Sequence, residues 1–455
     1  MSARRRPSTG APAPARAAAA RTLVRVAGDD AYADLVLDAE IDARGLDPRD
    51  AALATELVYG TLRWQRYLDW ILAPHSTRPL TTLDPRVLAL LRMTAYQLVF
   101  LERVPAFAAV SDAVSLAKAR SKHGVPEFVN AVLRSFARRG AAEREPRPPA
   151  DRVEALALRL SFPTWLAARW VARYGDDDAA ALMRAMNERP PLTIRANTLR
   201  VTREALAERL AREDGLTVTA AAYAPEALIV EHGGAPGAWR AFDEGGFAVQ
   251  DEASMLIARL LAPEPGDTLV DACAAPGTKA THLAQLMGDR GRVIALDPQP
   301  ARLARVPEAA ARLGVSIVET RDGTVEAIAP EFRDAADGVL VDAPCTNLGV
   351  LRRNPEVKWR RVPQDVAASA ARQRAILDAA AGMVKAGGRL VYATCSLEPE
   401  ENEAVVADFL AAHGAFALDP PGAFPLPLDP DGVLRCRPDR HGTDGFTAVR
   451  LRRAR

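Results

Sequence analysis

The sequence predicts an α/β fold for its C-terminal part, a Rossmann-like doubly wound sheet, preceded by an all-α domain and a small α+β domain. Three observations predict it. Through residues 21–140 apolar side chains recur three and four apart, without strand-like runs. A proline-rich stretch at residues 143–150 breaks that pattern, because proline cannot continue a helix and biases its neighbour toward extended geometry. From residue 253 onward short hydrophobic runs alternate with helical segments, the rhythm of a parallel sheet buried on both faces.

Residues 1–20 carry Arg4, Arg5, Arg6 and Arg16, no acid and no apolar core of a secretory signal. They are expected to be a disordered basic tail, either touching RNA phosphates or without a role. In residues 21–140 the helical pattern is clearest over 51–72, 84–101 and 108–118. Residues 151–251 read as helices at 163–174 and 177–187, a β-like run at 192–197, a helix at 203–212 and β-like runs near Thr217 and Ile229. Residues 252–455 hold runs at 268–272, 293–296, 315–318, 339–341 and 389–392, the strands of the predicted sheet. Such a sheet binds ligands beyond the carboxyl ends of its strands, so the residues just after each run should carry the chemistry.

Composition narrows the function class. A chain of 455 residues is long enough for two or three domains with real cores. With 59 basic and 58 acidic side chains the net charge is +1, so any nucleic-acid footprint must be local. Cys273, Cys345, Cys395 and Cys436 lie 72, 50 and 41 residues apart, without the paired spacing of a zinc site or disulfide framework. Free thiols in a cytoplasmic protein, with no metal, are expected. The greasiest stretch runs only from Met93 to Leu101 uninterrupted, too short for a membrane span.

After the first run comes Asp271-Ala-Cys-Ala-Ala-Pro-Gly-Thr-Lys279, a loop of small residues opening a helix. Glycine and small side chains let backbone approach a ligand closely at a helix N-terminus. Asp297 follows the second run, suited to ribose hydroxyls, and Asp322 the third, a candidate partner for an adenine amino group. One loop aspartate commonly just stabilises a turn; three at successive strand ends suggest an adenosine-containing cofactor. The fourth strand leads into Asp342-Ala-Pro-Cys-Thr346 and the fifth into Thr394-Cys-Ser396, so two thiols emerge at the same rim. Cys273 and Cys436 read as small apolar fillers. Cys345 and Cys395 suit covalent chemistry on a pyrimidine, in which a thiolate adds to C6 of cytosine and C5 then accepts a methyl group. A helix beginning at Pro399 is expected to favour the Cys395 thiolate through its positive end, and Asp342 to bind the N3/N4 edge of the ring.

These segments resemble a known family. Asp271 to Lys279, the run from Asp342 through Cys345 to Trp359, and Tyr392-Ala-Thr-Cys-Ser396 look like the signature motifs of the RsmB/NOP/Sun (Fmu) family of RNA cytosine-C5 methyltransferases; Phe247-Ala-Val-Gln-Asp-Glu-Ala-Ser254 and Gly442-Thr-Asp-Gly-Phe446 match as well. Ala54-Thr-Glu-Leu-Val-Tyr-Gly-Thr-Leu-Arg63, Leu91-Arg-Met-Thr-Ala-Tyr-Gln-Leu98 and Phe128-Val-Asn-Ala-Val-Leu-Arg134 resemble the NusB-like RNA-binding domain carried in front by the bacterial 16S ribosomal RNA enzymes. The resemblance implies an S-adenosyl-L-methionine-dependent enzyme acting as a monomer on 16S ribosomal RNA or a small-subunit assembly intermediate. It implies that Cys273, Ala274, Ala275, Pro276, Gly277, Thr278, Lys279, Asp297, Asp322 and Asp342 bind the cofactor, that Cys395 is the nucleophile and that Cys345 assists release. Thr278 stands where the family usually has a second glycine, and Thr447 where it usually has an aromatic residue.

Arg352, Arg353 and Lys358, with Arg360, Arg361 and Trp359, form the best local basic patch, read as RNA contact or as a solvated helix face. His282 and His441 suit a helix surface or a core better than catalysis. Two other readings compete: a DNA cytosine-C5 methyltransferase, in which the thiol after Pro344 attacks, and a non-enzymatic factor that holds RNA with its helices. Thr394-Cys-Ser396 with its acidic follow-on speaks against the first, and intact cofactor and thiol motifs against the second.

Overall fold

Alanine spacing creates the first helix. Ala15, Ala18, Ala19, Thr22, Leu23 and Val26 fall on one face of Pro14–Gly28 and are buried. The computed structural model describes residues 13–29, 31–119, 124–139, 145–231 and 233–455. Residues 1–12 of the expected basic tail lie outside them, and residues 14–20 are helical rather than disordered. The reason is that Ala, a weak hydrophobe with the highest helix propensity, marks a core face poorly in an Ala-rich sequence.

Further helices follow at Ala33–Arg44, Pro48–Arg63, Gln65–Leu72, Pro85–Phe100, Ala106–Lys118 and Val125–Ala137. Their starts carry expected signals: the side chains of Asp47 and Asp84 accept hydrogen bonds from the amides of Asp50 and Arg86, with Pro48 and Pro85 next in line. Gly60 is there for packing, since a Cβ on it would meet the Tyr96 ring at 2.0 Å.

The chain divides into two compact units, one running to Glu188 and including Leu351–Arg360, the other comprising Arg189–Val350 and Arg361–Arg455. The division between these two units falls after the helices Arg152–Arg159, Thr164–Tyr174 and Asp176–Asn187. Those helices are tied to the N-terminal ones by Arg66, whose guanidinium donates to the Phe162 carbonyl and to Glu154, each at 2.5 Å.

In the second unit, β1 (Leu192–Ala196), β2 (Thr217–Ala220), β3 (Ala227–Glu231) and β4 (Phe247–Val249) form an antiparallel sheet in the order β2-β3-β1-β4. The main sheet contains β5 (Thr268–Asp271), β6 (Arg292–Asp297), β7 (Val318–Asp322), β8 (Ala336–Asp342), β9 (Val384–Thr394), β10 (Phe416–Leu418), β11 (Leu434–Cys436) and β12 (Phe446–Arg453). Its order is β10-β12-β9-β8-β5-β6-β7, with β11 on β12; β5 to β9 are parallel and β12 runs against β9. Period-two alternation fills both faces: Leu269, Val293, Ala295, Leu340 and Val391 enter one core cluster, Val270, Ile294, Val339, Leu390 and Tyr392 the other. The order reverses where β5 meets β8, the switch point at which such sheets open a crevice beyond their carboxyl ends. The third strand starts later than the run at 315–318, because Val315 belongs to the turn after Gly314 and pairing begins at Val318.

Candidate active site

Every strand-end residue singled out in the sequence, apart from the basic patch, reaches this edge. Asp271 closes β5 and is fully buried, and neither of its carboxylate oxygens has a well-formed hydrogen bond. Burial, reinforced by the charges of Asp342 and Asp297 and opposed by Lys279, pushes its carboxyl up to about 7. The loop Ala272–Gly277 then turns into the helix Thr278–Leu286. Gly277 adopts φ +104°, and a Cβ there would sit 3.1 Å from the Val306 backbone, so glycine is required. Thr278 begins the helix and needs no such freedom, so its departure from the family pattern leaves the turn intact.

Asp297 at the end of β6 is buried and accepts from the Gln299 amide at 2.9 Å; Asp322 lies beside it in register at the end of β7 and is exposed. Asp342 at the end of β8 pairs with Lys279 Nζ at 2.6 Å, and that ammonium also lies 5.3 Å from the centre of the Phe446 ring. Burial alone would lower the Lys279 pKa, but the charge and hydrogen bond of Asp342 outweigh it and raise it.

Fifty residues apart in sequence, Cys345 and Cys395 bring their sulfurs to 3.0 Å. The Cys395 thiol also points at Asn347 Oδ1, 3.0 Å away, and Cys345 at the same oxygen, 3.5 Å away. Asn347 stands in the left-handed region at φ +63°, a conformation asparagine tolerates better than most residues. One expectation needs correcting. Pro399–Glu401 is a single 3₁₀ turn and the helix starts only at Glu403, so no helix end at Pro399 acidifies Cys395. The hydrogen bond to Cys345 and burial instead hold Cys395 well above the ordinary thiol range, with Lys279 pulling the other way.

Sequence reasoning missed the scaffold beneath the thiols. Glu401 is fully buried and accepts from the Thr346 amide at 2.9 Å, the Thr346 hydroxyl at 2.5 Å, Gln373 Nε2 at 3.0 Å and the Ser396 hydroxyl. It thereby ties together the residues following Cys345 and Cys395. Asn402 donates to the Ser396 and Glu398 carbonyls and accepts from Thr394 Oγ1. Gly349 donates to the Cys395 carbonyl at 2.8 Å, and a Cβ on it would lie 2.3 Å from the Gly445 carbonyl. The acidic follow-on after Cys395 was the available signal, but nothing in it distinguished a buried clamp from a solvated run.

A second buried group underlies the loop helix. Arg195 of β1 donates to the Thr278 carbonyl at 2.7 Å, to Gln285, Thr281 and Gln250, and His282 lies 2.6 Å from Glu226, itself paired with Arg259. His282 is thus a core residue, lowered by burial to about 4. His441 accepts from the Arg437 amide at 2.9 Å. Cys436 is fully buried in the apolar core.

The basic patch turns inward. Lys358 is fully buried and Arg352 nearly so, while Arg353 is half-buried and engaged. Lys358 Nζ donates to the carbonyls of Arg63 (2.8 Å) and Ser161 (3.0 Å) and to Asn187 Oδ1 (2.8 Å), over the Phe162 ring at 4.1 Å. Trp359 Nε1 donates to the Leu62 carbonyl and Arg360 to that of Val26. These are the last carbonyls of two helices, which lack intrahelical donors and attract cations. Lys358, Trp359 and Arg360 therefore cap helix ends, and the buried Lys358 ammonium is not open to the expected RNA contact. Burial and the Arg63 charge push the Lys358 ammonium toward losing its proton, yet its three acceptors need three N–H donors. Lys358→Met is expected to lower stability by about 3 kcal/mol or more, since it strands buried acceptors; denaturant titration reads this, and a loss below about 1 kcal/mol would refute the capping role.

Among the described residues no cluster of His, Cys, Asp and Glu could hold a metal ion, and no helix is long and apolar enough to cross a membrane. The sequence matches the family description "16S rRNA methyltransferase RsmB/F" over residues 258–452, "NusB family" over 13–138 and "Methyltr_RsmF/B-like, ferredoxin-like domain" over 162–235. It is 37% identical to a probable ribosomal RNA small subunit methyltransferase B of Bacillus subtilis (strain 168), covering 96% of this chain and 98% of that one. The crystal structure of PH0851 superposes with a TM-score of 0.83 at 30% identity, over 96% of this chain and 98% of that one. NSun6 from Pyrococcus horikoshii, solved with SFG, gives 0.59 at 27% identity over 65% of this chain and 99% of that one. On motif order, domain order and full-length similarity, the chain belongs to the RsmB/F family of 16S rRNA methyltransferases.

Proposed function

We propose that this protein methylates C5 of a cytosine in 16S ribosomal RNA with S-adenosyl-L-methionine, in the cytoplasm. The observation that carries the reading is the pair of thiols in contact at the carboxyl edge of the sheet, beside a loop and acids suited to an adenosine cofactor. The relatives' name as small-subunit ribosomal RNA methyltransferases supports the substrate.

The cofactor fits the residues present. A fully buried carboxylate at Asp271 with no well-formed hydrogen bond calls for a cation beside it, and the first amides of the helix Thr278–Leu286 lack intrahelical partners and suit a carboxylate. Asp271 would hold the ammonium, Asp297 the ribose hydroxyls and Asp322 the adenine amino group. When bound, S-adenosyl-L-methionine supplies an electrophilic methyl group on a sulfonium. Cys395 rests as a thiol directed at Asn347 and gives its proton to solvent as its sulfur adds to C6, with the Lys279 charge favouring the thiolate. Asp342, held by Lys279, binds the N3/N4 edge of the ring as charge develops there. Cys345, in contact with the nucleophile and acting as a thiolate, takes the C5 proton while the C5–H electrons re-form the C5–C6 double bond and Cys395 leaves as the thiolate.

The reading is tested by mapping. Bisulfite sequencing of 16S ribosomal RNA from a deletion strain should lose one 5-methylcytosine, restored by the wild-type gene; an unchanged map would end the proposal.

Asp271 also gives a pH prediction. Its carboxyl is about half protonated near neutrality, and a cationic ligand favours the ionised form, so binding expels a proton. Affinity for S-adenosyl-L-methionine should fall as pH drops below about 7, by up to about tenfold per unit. Calorimetry in buffers of different ionisation enthalpy should register proton release near pH 6.5 that Asp271→Asn removes; pH-independent affinity between about 5.5 and 7 would contradict the role.

A further inference from the structure

The helices Ala106–Lys118 and Val125–Ala137 enclose a cleft of about 800 Å³ in the helical unit. Three cations, Lys118, Arg134 and Arg138, outnumber one acid, Glu127, in its lining, and none of the three forms an ion pair among the described residues. At its other wall stands Phe107, 79% exposed, the most exposed of the large apolar side chains described. The rest of that helix needs no help from this ring, because Ala109, Val110, Ala113 and Ala117 already form its buried face. An aromatic side chain left in water beside uncommitted guanidinium groups serves neither the core nor a surface ion network.

We propose that this cleft is a binding site for a single-stranded RNA segment, Phe107 stacking a base while Arg134, Arg138 and Lys118 meet phosphates. The proposal deepens the reading above by giving the ribosomal RNA a docking site in the helical unit, and it rests on that reading for the choice of RNA. The chemistry favours a nucleic acid strand over an acidic protein segment because an exposed aromatic face beside cations matches alternating base and phosphate. The two helices run about 20 Å, enough for a few nucleotides. Ser111 and Asn130 on the cleft wall add hydroxyl and amide groups able to hydrogen-bond bases.

The experiment uses the full chain and a fluorescein-labelled 12-nucleotide RNA of mixed sequence, read by anisotropy at several salt concentrations. Phe107→Ala should weaken binding about fivefold or more, the loss of one base stack. The variant R134Q/R138Q should lower the slope of log affinity against log salt by about 1.4, the counterion release of two phosphates on a single strand. Melting temperature and S-adenosyl-L-methionine binding should stay at wild-type values in both, since all three positions are remote from the cofactor loop in sequence and fold unit. Unchanged RNA affinity and slope would overturn the cleft while leaving the thiol chemistry standing. A wild-type chain that binds no RNA would instead overturn the substrate reading. Competition by polyglutamate but not by RNA, lost in the same variants, would assign the cleft to an acidic protein and overturn the proposal.

Discussion

Cys395→Ala is expected to abolish both methyl transfer and any denaturant-resistant protein–RNA species, while Cys345→Ala accumulates that species. The asymmetry follows from the chemistry assigned to the two sulfurs. Without Cys395 no bond to C6 can form, C5 stays unreactive, and turnover falls by on the order of 10⁴-fold or more, the scale of losing a nucleophile. Without Cys345, attack and methylation proceed but release stalls, so protein and RNA remain joined. The 3.0 Å contact matters here, since a group that assists elimination has to stand against the bond that breaks. If both thiols merely filled space, each alanine would cost a modest amount of stability and turnover would persist. Denaturing gels of each variant with RNA and S-adenosyl-L-methionine separate these cases. An adduct that persists in Cys395→Ala and vanishes in Cys345→Ala would reverse the assignment and favour the DNA-enzyme type of mechanism.

The raised thiol pKa sharpens that expectation. Cys395 is not a preformed thiolate in the free protein, because Cys345 and burial favour the protonated form. Alkylation of free Cys395 by iodoacetamide should therefore be slow at neutral pH, and the nucleophile is made when the ring arrives beside Lys279 and Asp342.

What the sequence revealed tracks how local the determinant is. The strand-end acids and both thiols were legible because a parallel sheet delivers residues following hydrophobic runs to one edge, whatever the loops do. Asp297 and Asp322 indeed lie in register on neighbouring strands. The expected helix at Pro399 was not legible as a turn, because Pro at a first position suits a 3₁₀ turn and an α-helix equally. Lys358 misled for a different reason. A run of cations looks solvated in one dimension, and only the fold reveals two helix ends whose carbonyls need donors. Ala15 and Ala18 were hidden by composition, since alanine spacing carries little contrast in an Ala-rich chain. Glu401 was invisible as a clamp because its partners come from three separate stretches, at Thr346, Gln373 and Ser396.

That clamp carries the other large expected effect. Glu401→Gln replaces one acceptor oxygen by an NH₂ group: at Oε1 it faces two donors, the Thr346 amide and Gln373 Nε2, and at Oε2 it forces the hydroxyls of Thr346 and Ser396 to turn and accept, in a site with no water-facing exit. Hydrogen bonds to charged groups contribute roughly 1.5–3 kcal/mol each, and a buried polar group left unpaired costs more than the mean bond gains. A buried donor left unsatisfied costs about 1–3 kcal/mol, so the substitution should lower stability by that order. The loops bearing Cys345 and Cys395 should lose their common anchor at the same time. Denaturant titration would then show the loss, and cofactor affinity should change little, since Glu401 touches neither Asp271 nor the loop after it. Under conditions where the variant remains folded, methyl transfer should drop by about 100-fold, because an ångström of drift between nucleophile and ring is enough to cost that much. Wild-type turnover in a folded Glu401→Gln protein would mean that the thiols hold their 3.0 Å contact without the clamp.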